Sequence, residues 1–195
     1  MLVTQREAAR RLATVGVSRA RARRLLHCGL AGEPVTCAGA LLYDAELVEA
    51  LVAREHVDLE DLASACPDGV FVARRDVDVL EGTASVRTAV SGGWPLSLAR
   101  GLWLAMRAER GAPVPLVATV CGFVVHGAEI ERVIEEVAAR PTRRDPYEMR
   151  FELADPGPWF EVFENRRFHT GSGRPWTFCG WSETGVTPFR LGYGR

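Results

Sequence analysis

The chain has 195 residues, of which 47% are hydrophobic and 25% charged, and its formal net charge is −1. This composition predicts a folded protein with a buried core and excludes an intrinsically disordered chain. The sequence contains no apolar run near the roughly 20 residues that a membrane-spanning helix needs, and no secretion signal. We therefore expect a cytoplasmic protein without membrane contact.

The charge is unevenly distributed along the chain. Residues 1–27 contain seven arginines and one acid, Glu7, a net charge of +6, so the remainder is acidic. All 24 basic residues are arginine, which is typical of a GC-rich bacterial genome. A positive field at one end is the electrostatic pattern of a protein that binds an anionic partner such as nucleic acid.

The first helix is predicted to begin at Thr4. Thr4 and Glu7 stand three residues apart before an apolar stripe, an arrangement typical of a capping box. The spacing places Ala8, Ala9 and Leu12 on one helical face. Arg6 and Arg10 then lie on the opposite face.

A second, arginine-rich helix is predicted to begin after Ser18, a residue that caps helices well. Helical periodicity directs Ala22, Leu25 and Leu26 inward. The same count directs outward Ala20, Arg23, Arg24 and His27, with Arg19 and Arg21 at the flanks. Gly29 is expected to end the helix in a left-handed conformation.

Residues 34–43 read as two short strands around Ala38 and Gly39, a hairpin. Asp44 is expected to cap a third helix whose Leu47, Val48 and Leu51 close a small core. This order of elements resembles the MerR/excisionase type of winged helix-turn-helix, in which an E-A-A-x-x-L helix leads through G-V-S to an arginine-bearing recognition helix, a glycine and a hairpin. The resemblance covers about residues 3–54.

The resemblance implies binding of double-stranded DNA through the second helix. The residues expected to contact DNA are Arg19, Arg21, Arg23 and Arg24 in that helix and Arg6 and Arg10 in the first. Guanidinium groups pair with guanine edges and also grip phosphates. Because residues 33–43 contain no arginine, the hairpin is not expected to share these contacts.

Residues 57–195 are predicted to form a second domain, after a winged helix-turn-helix over residues 1–56. Asp58 is expected to cap a short helix, residues 70–73 to form a buried strand, and residues 81–93 a loop. Pro95 is expected to start a helix with an apolar side of Leu98, Ala99, Leu102, Trp103 and Met106. Residues 116–125 read as one central strand, residues 147–153 as a half-buried strand, residues 156–163 as a short helix and residues 176–179 as a last strand.

Residues 129–139 fit two descriptions. Ile130, Val133, Ile134 and Val137 match the helical template, whereas a strand continuing from Val125 is the alternative. The fold class predicted for the whole chain is α+β: the winged helix-turn-helix, then a mixed α+β domain with a small, mainly antiparallel sheet.

No catalytic constellation is evident, so the sequence favours a protein that is not an enzyme. His126 and His169 lack a nucleophile or an acid at a recognisable spacing. Cys28, beside His27, and Cys37 fit no zinc spacing, so neither a metal nor another cofactor is expected. Backbone N–H groups at residues 171–173 beside Arg174, with His169 nearby, form a possible anion or ligand site, and a loop without ligand is the alternative.

The sequence thus predicts a bacterial DNA-binding protein, a transcriptional regulator that acts as a homodimer, whose C-terminal domain serves dimerisation, partner contact or ligand sensing. The alternative is an enzyme or small-ligand-binding protein acting through the C-terminal domain, with the N-terminal helices as a protein-docking module. A third hypothesis is an assembly protein that does not contact DNA. It requires acidic side chains of the same chain to cover the arginines of the second helix. Exposure of Arg19, Arg23 and Arg24 discriminates among the three.

Overall fold

Six α-helices and two β-sheets form the part of the chain that the computed structural model describes, residues 1–111, 114–137, 147–168 and 175–180, so the fold is α+β. The helices are α1 (Gln5–Ala13), α2 (Arg19–His27), α3 (Ala45–Ala53), α4 (Leu59–Ala65), α5 (Thr83–Ser91) and α6 (Leu98–Glu109). The strands are β1 (Leu2–Thr4), β2 (Val35–Cys37), β3 (Ala40–Asp44), β4 (Val70–Arg74), β5 (Val114–Val120), β6 (Phe123–Val137), β7 (Tyr147–Ala154) and β8 (Trp176–Cys179). Of the helices in these ranges, none combines the length and apolar character needed to cross a lipid bilayer.

The predicted N-terminal elements are all present. The Thr4 hydroxyl accepts the Glu7 N–H at the start of α1, and the Ser18 hydroxyl accepts the Arg21 N–H at the start of α2. Hairpin β2–β3 turns at Ala38 and Gly39, both with positive φ, as a tight two-residue hairpin requires. An additional strand, β1, pairs with β3 and completes an antiparallel sheet in the order β1-β3-β2.

One predicted core residue of α3 is wrong. Asp44 caps the helix as expected, and Val48 and Leu51 are buried, but Leu47 is 46% exposed. The inward face of α3 consists of Ala45, Val48 and Leu51. Leu47 instead lies over Gly32: a Cβ added to Gly32 would be 2.8 Å from Cδ1 of Leu47.

The second sheet has the order β7-β6-β5-β4-β8, and of its pairings only β4–β5 is parallel within the described residues. Strands β4, β7 and β8 lie where the sequence predicts them. The expected single strand over residues 116–125 is wrong, because Cys121 and Gly122, both with positive φ, form a turn between β5 and β6. Strand β5 is nevertheless central in the sheet.

Residues 129–137 form a strand, which settles the alternative left open by the sequence; residues 138–139 lie outside the described ranges. The helix-like spacing of the apolar residues at 130, 133, 134 and 137 has a physical cause. The register of β6 against β7 shifts between Ile130 and Arg132, a β-bulge. Ile130 packs in the core, and after the extra residue it is Val133 that packs against the same cluster. A bulge therefore turned the two-residue repeat of a strand into a three-residue spacing.

Two predictions for residues 81–109 are also wrong. The expected loop contains α5, which buries only Val86 and Val90, too few apolar positions for a clear helical pattern. In α6, most of the predicted apolar side faces outward: Leu98, Leu102 and Met106 are 55%, 55% and 52% exposed, and of its larger members Trp103 packs partly buried against the core. Helix α6 buries Gly101 and Leu104 instead.

The close approach of Gly101 to the sheet explains the orientation of α6. A Cβ at this position would lie 2.6 Å from Cε of Met149 on β7. Because Gly101 has no Cβ, the helix can approach the sheet closely on this side, and Leu98, Leu102 and Met106 lie on the outer side. Periodicity alone does not distinguish these two faces.

The N-terminal helices and the larger sheet share a hydrophobic core. Val120 and Phe123, on either side of the β5–β6 turn, are buried in the same cluster as Leu12, Leu25 and Leu26. Residues 166–168 add a backbone connection between residues 55–57 and 122–124. The two regions are therefore held together by apolar packing and by hydrogen bonds.

This shared core predicts the effect of Phe123→Ala. Phe123 is 1% exposed, so the truncation should lower the free energy of unfolding by about 3–5 kcal/mol. Urea denaturation followed by tryptophan fluorescence measures this, and hydrogen exchange of the Leu25 and Leu26 amides should accelerate in parallel. Leu47→Ala is the matched control, with an expected loss under about 1 kcal/mol. Unchanged exchange in α2 of the Phe123→Ala protein would contradict a shared core.

Candidate nucleic-acid interface

Helix α2 presents a broad polar face to the outside. Its inner side is fixed by Ala22, Leu25 and Leu26, all buried, and Ser18 caps its first turn. At about 100° per residue, the opposite side is centred on Ala20, Arg24 and His27, with Arg23 and Arg21 towards its two edges. The exposed residues on this side and its flanks are Arg19, Ala20, Arg21, Arg23, Arg24 and His27. The outward placement predicted for Ala20, Arg23, Arg24 and His27 is confirmed, and Arg19 and Arg21, predicted at the flanks, are exposed as well.

Two of these arginines have no acidic partner in the described part of the chain: no carboxylate there lies within ion-pair distance of Arg19 or Arg23. Arg24 Nε lies 3.1 Å from Asp76 Oδ2, with the two side chains 57% and 50% exposed. An ion pair this exposed is weak. The face therefore keeps an unneutralised positive charge, and the acidic remainder of the described chain does not cover it.

Arg21 and Arg24 lie on the flank of α2 that is next to the body of the protein. Their positive charges oppose the burial that raises the pKa of the Cys121 thiol. Arg21 also contributes, after burial, to lowering the pKa of Arg74. The backbone carbonyl of Cys28 accepts the Val79 N–H at 3.0 Å, which fixes the end of α2 against residues 76–80.

The arginines of α1 are more fully neutralised. Arg10 and Arg11 both donate to the carboxylate of Glu7, and Arg11 also pairs with Glu49 at 2.7 Å. Hydrogen bonds from Arg10 and then Arg11 lower the pKa of Glu7. Arg6 is exposed and, within the described ranges, pairs with no acid.

A groove of about 510 Å³ lies between α1 and the start of α2. Arg6, Arg10 and Arg19 line it together with Glu7. The sequence alone did not predict that arginines of the two helices lie side by side. The structure brings Arg6 and Arg10 to the same groove as Arg19, which extends the positive surface from α2 to α1.

The other residues that the sequence singled out are His126, His169 and Arg174. His169 and Arg174 lie outside the described residues. His126 is half-buried on β6, where burial and then the charge of Arg87 lower its pKa, opposed by Asp155. It lines none of the clefts that adjoin the N-terminal helices.

Sequence reasoning missed two residues near the α2 surface. Asp76, the partner of Arg24, follows β4 and gives no local signal that it meets α2. Arg167 donates through Nη1 to the Val15 carbonyl at 3.0 Å and so holds the turn between α1 and α2. These two contacts join residues that are 52 and 152 positions apart, and no local pattern in one sequence indicates contacts at such separations.

The arrangement can bind a polyanion: an exposed helix face with long cationic donors continues into a basic groove. Comparisons with protein-family models, with curated proteins and with solved structures found no match.

Proposed function

We propose that this protein binds double-stranded DNA through α2 and acts as a transcriptional regulator. Residues 1–56 then form a winged helix-turn-helix of the MerR/excisionase type, and residues 57–195 form a domain for dimerisation, partner contact or ligand sensing. The observation that carries the proposal is the exposed face of α2, on which Arg19 and Arg23 have no acidic partner among the described residues.

The arrangement of charges disfavours an assembly protein in which the acidic part of the chain covers α2. Such a protein would have its α2 arginines paired with acids, and only Arg24 of α2 has such a partner in the described part of the chain. Arginine side chains on an exposed helix can reach guanine edges in the major groove. Arg6 and Arg10, beside Arg19 in the groove, suit phosphate contacts that set the position of the helix on the duplex.

The hairpin has a smaller role in this proposal than in the family it resembles. Strands β2 and β3 project exposed side chains, but residues 33–43 carry no arginine. Any contact of the hairpin with DNA therefore lacks charge neutralisation. Affinity depends on α2 and α1.

The double substitution Arg19→Gln and Arg23→Gln tests the proposal. A duplex selected from a random pool by the wild-type protein should bind the variant at least about tenfold more weakly, since each lost base contact costs about 1–3 kcal/mol. Fluorescence anisotropy at two salt concentrations measures this, and a lost phosphate contact lowers the salt dependence by about one unit. Because both side chains are exposed, the melting temperature should stay unchanged.

The matched control is Arg132→Gln. Arg132 is an exposed arginine on β6, and its side chain is paired with Glu152 at 3.2 Å. The substitution therefore removes one positive charge at a position that is far from α2 in the sequence. It should leave DNA affinity unchanged. Failure of the wild-type protein to select or bind any duplex at low salt would refute the proposal, as would equal losses in the control and the α2 variant.

The proposal also predicts two chains per binding site. Helix α2 has 9 residues and spans only about 14 Å, so one copy contacts a short stretch of groove. Helix-turn-helix dimers reach a second half-site about one helical turn away. The exposed Leu98, Leu102 and Met106 of α6 form an apolar stripe that a second copy can cover.

Sedimentation velocity of the complex with the selected duplex should give two chains per duplex. Leu102→Glu places a charge in the stripe and should lower the number of chains per duplex or the cooperativity with which two chains bind. Leu47→Glu is the control, because Leu47 is an exposed leucine on another helix, α3. A one-to-one complex of the wild-type protein would contradict the homodimer without affecting the DNA-binding surface.

A further inference from the structure

A small basic pocket lies beneath the turn between α1 and α2. Its volume is about 220 Å³. Residues 15–17 form one wall, residues 121–123 of the β5–β6 turn form another, and three basic side chains, Arg21, His56 and Arg167, complete the lining with Phe168. The pocket therefore lies where the N-terminal helices meet the larger sheet.

Arg21 and Arg167 bring positive charge to the lining. Among the described residues that form the pocket, none is an aspartate or a glutamate. This distinguishes it from the groove beside α1, where Glu7 neutralises part of the arginine charge. The Cys121 thiol, which also lines the pocket, has its pKa raised by burial and thus stays uncharged at neutral pH.

Arg167 has donor capacity left over. Nη1 donates to the Val15 carbonyl, but the buried Nε has no acceptor among the described residues. In the same part of the chain, no carboxylate pairs with Arg167, and burial lowers the pKa of its guanidinium. A partly buried arginine without an anion is costly, and a bound anion would relieve this cost.

We propose that this pocket binds an oxyanion of the size of phosphate, held by Arg21 and Arg167 with His56 as a further donor. The volume is below the roughly 300–1,000 Å³ typical of sites for larger organic ligands, which favours a small anion. Paired guanidinium groups are the usual protein partners of phosphate oxygens.

The anion has two possible sources, a free phosphate-bearing small molecule or a backbone phosphate of DNA. Arg21 belongs both to α2 and to the pocket, and Arg167 holds the turn that precedes α2. An anion bound here would therefore act on the position of α2. The effect on DNA binding rests on the proposed function, whereas binding of the anion to the pocket is independent of that function.

Titration with sodium phosphate, at an ionic strength held constant with sodium chloride, tests the pocket without DNA. Amide signals of Gly16, Val17 and Gly122 in ¹H–¹⁵N spectra should shift and saturate. Arg21→Gln should weaken phosphate binding at least about tenfold, because a charge-assisted bond is lost. Arg23→Gln removes the same charge from α2 outside the pocket and should bind phosphate as the wild type does.

Absence of a saturable shift at residues of the pocket would overturn the proposal. So would an equal loss in the Arg21→Gln and Arg23→Gln proteins, since it would indicate general attraction to the arginine-rich surface. His56→Gln gives a second variant on an exposed side chain, with an expected weakening smaller than that of Arg21→Gln.

Addition of the selected duplex distinguishes the two sources. If DNA supplies the phosphate, inorganic phosphate competes with DNA beyond the effect of matched chloride, and Arg21→Gln removes that competition. If the ligand is a free molecule, phosphate and DNA bind together. Both results support the pocket, and a protein that binds phosphate but no duplex would retain this site while losing the proposed function.

Discussion

Residues 166–168 connect the N-terminal region, which contains α2, to the larger sheet, because their backbone is hydrogen-bonded on two sides. The Arg167 N–H donates to the Glu55 carbonyl at 2.7 Å, and its carbonyl accepts the Val57 N–H at 2.8 Å. On the other side, the Val124 N–H donates to the Arg166 carbonyl and the Phe168 N–H donates to the Gly122 carbonyl. This segment therefore joins the end of the N-terminal region to the β5–β6 hairpin through four backbone hydrogen bonds.

The side chain of Arg167 extends this connection to the turn before α2, and Phe123 extends it into the core that α2 packs on. The inner face of α2 is thus fully used by folding, so its outer arginines are available for a partner. Arg19 and Arg23 contribute nothing evident to the stability of the described residues, since they pair with no acid there. Exposed charge that folding does not use is the physical basis of the proposed DNA interface.

The features predicted correctly from the sequence depend on short-range chemistry. Thr4 and Ser18 cap their helices through contacts three residues away, and Ala38–Gly39 form a turn by their own backbone preferences. The errors arise where distant parts of the chain decide. Gly101 sets the buried face of α6 through Met149, and pairing with β7 places the bulge that made β6 resemble a helix. In the candidate site, helical periodicity predicted which arginines of α2 point outward, but the pocket below required Arg167 from the far end of the chain.

Hydrogen exchange of the full chain, with and without a saturating duplex, maps directly which backbone amides DNA protects. If α2 is the interface, protection is concentrated in residues 17–28 and at the start of α1, with little change in β2 and β3. Protection confined to the larger sheet or to α6, with α2 unchanged, would contradict the claim that the exposed arginine face of α2 is the nucleic-acid interface.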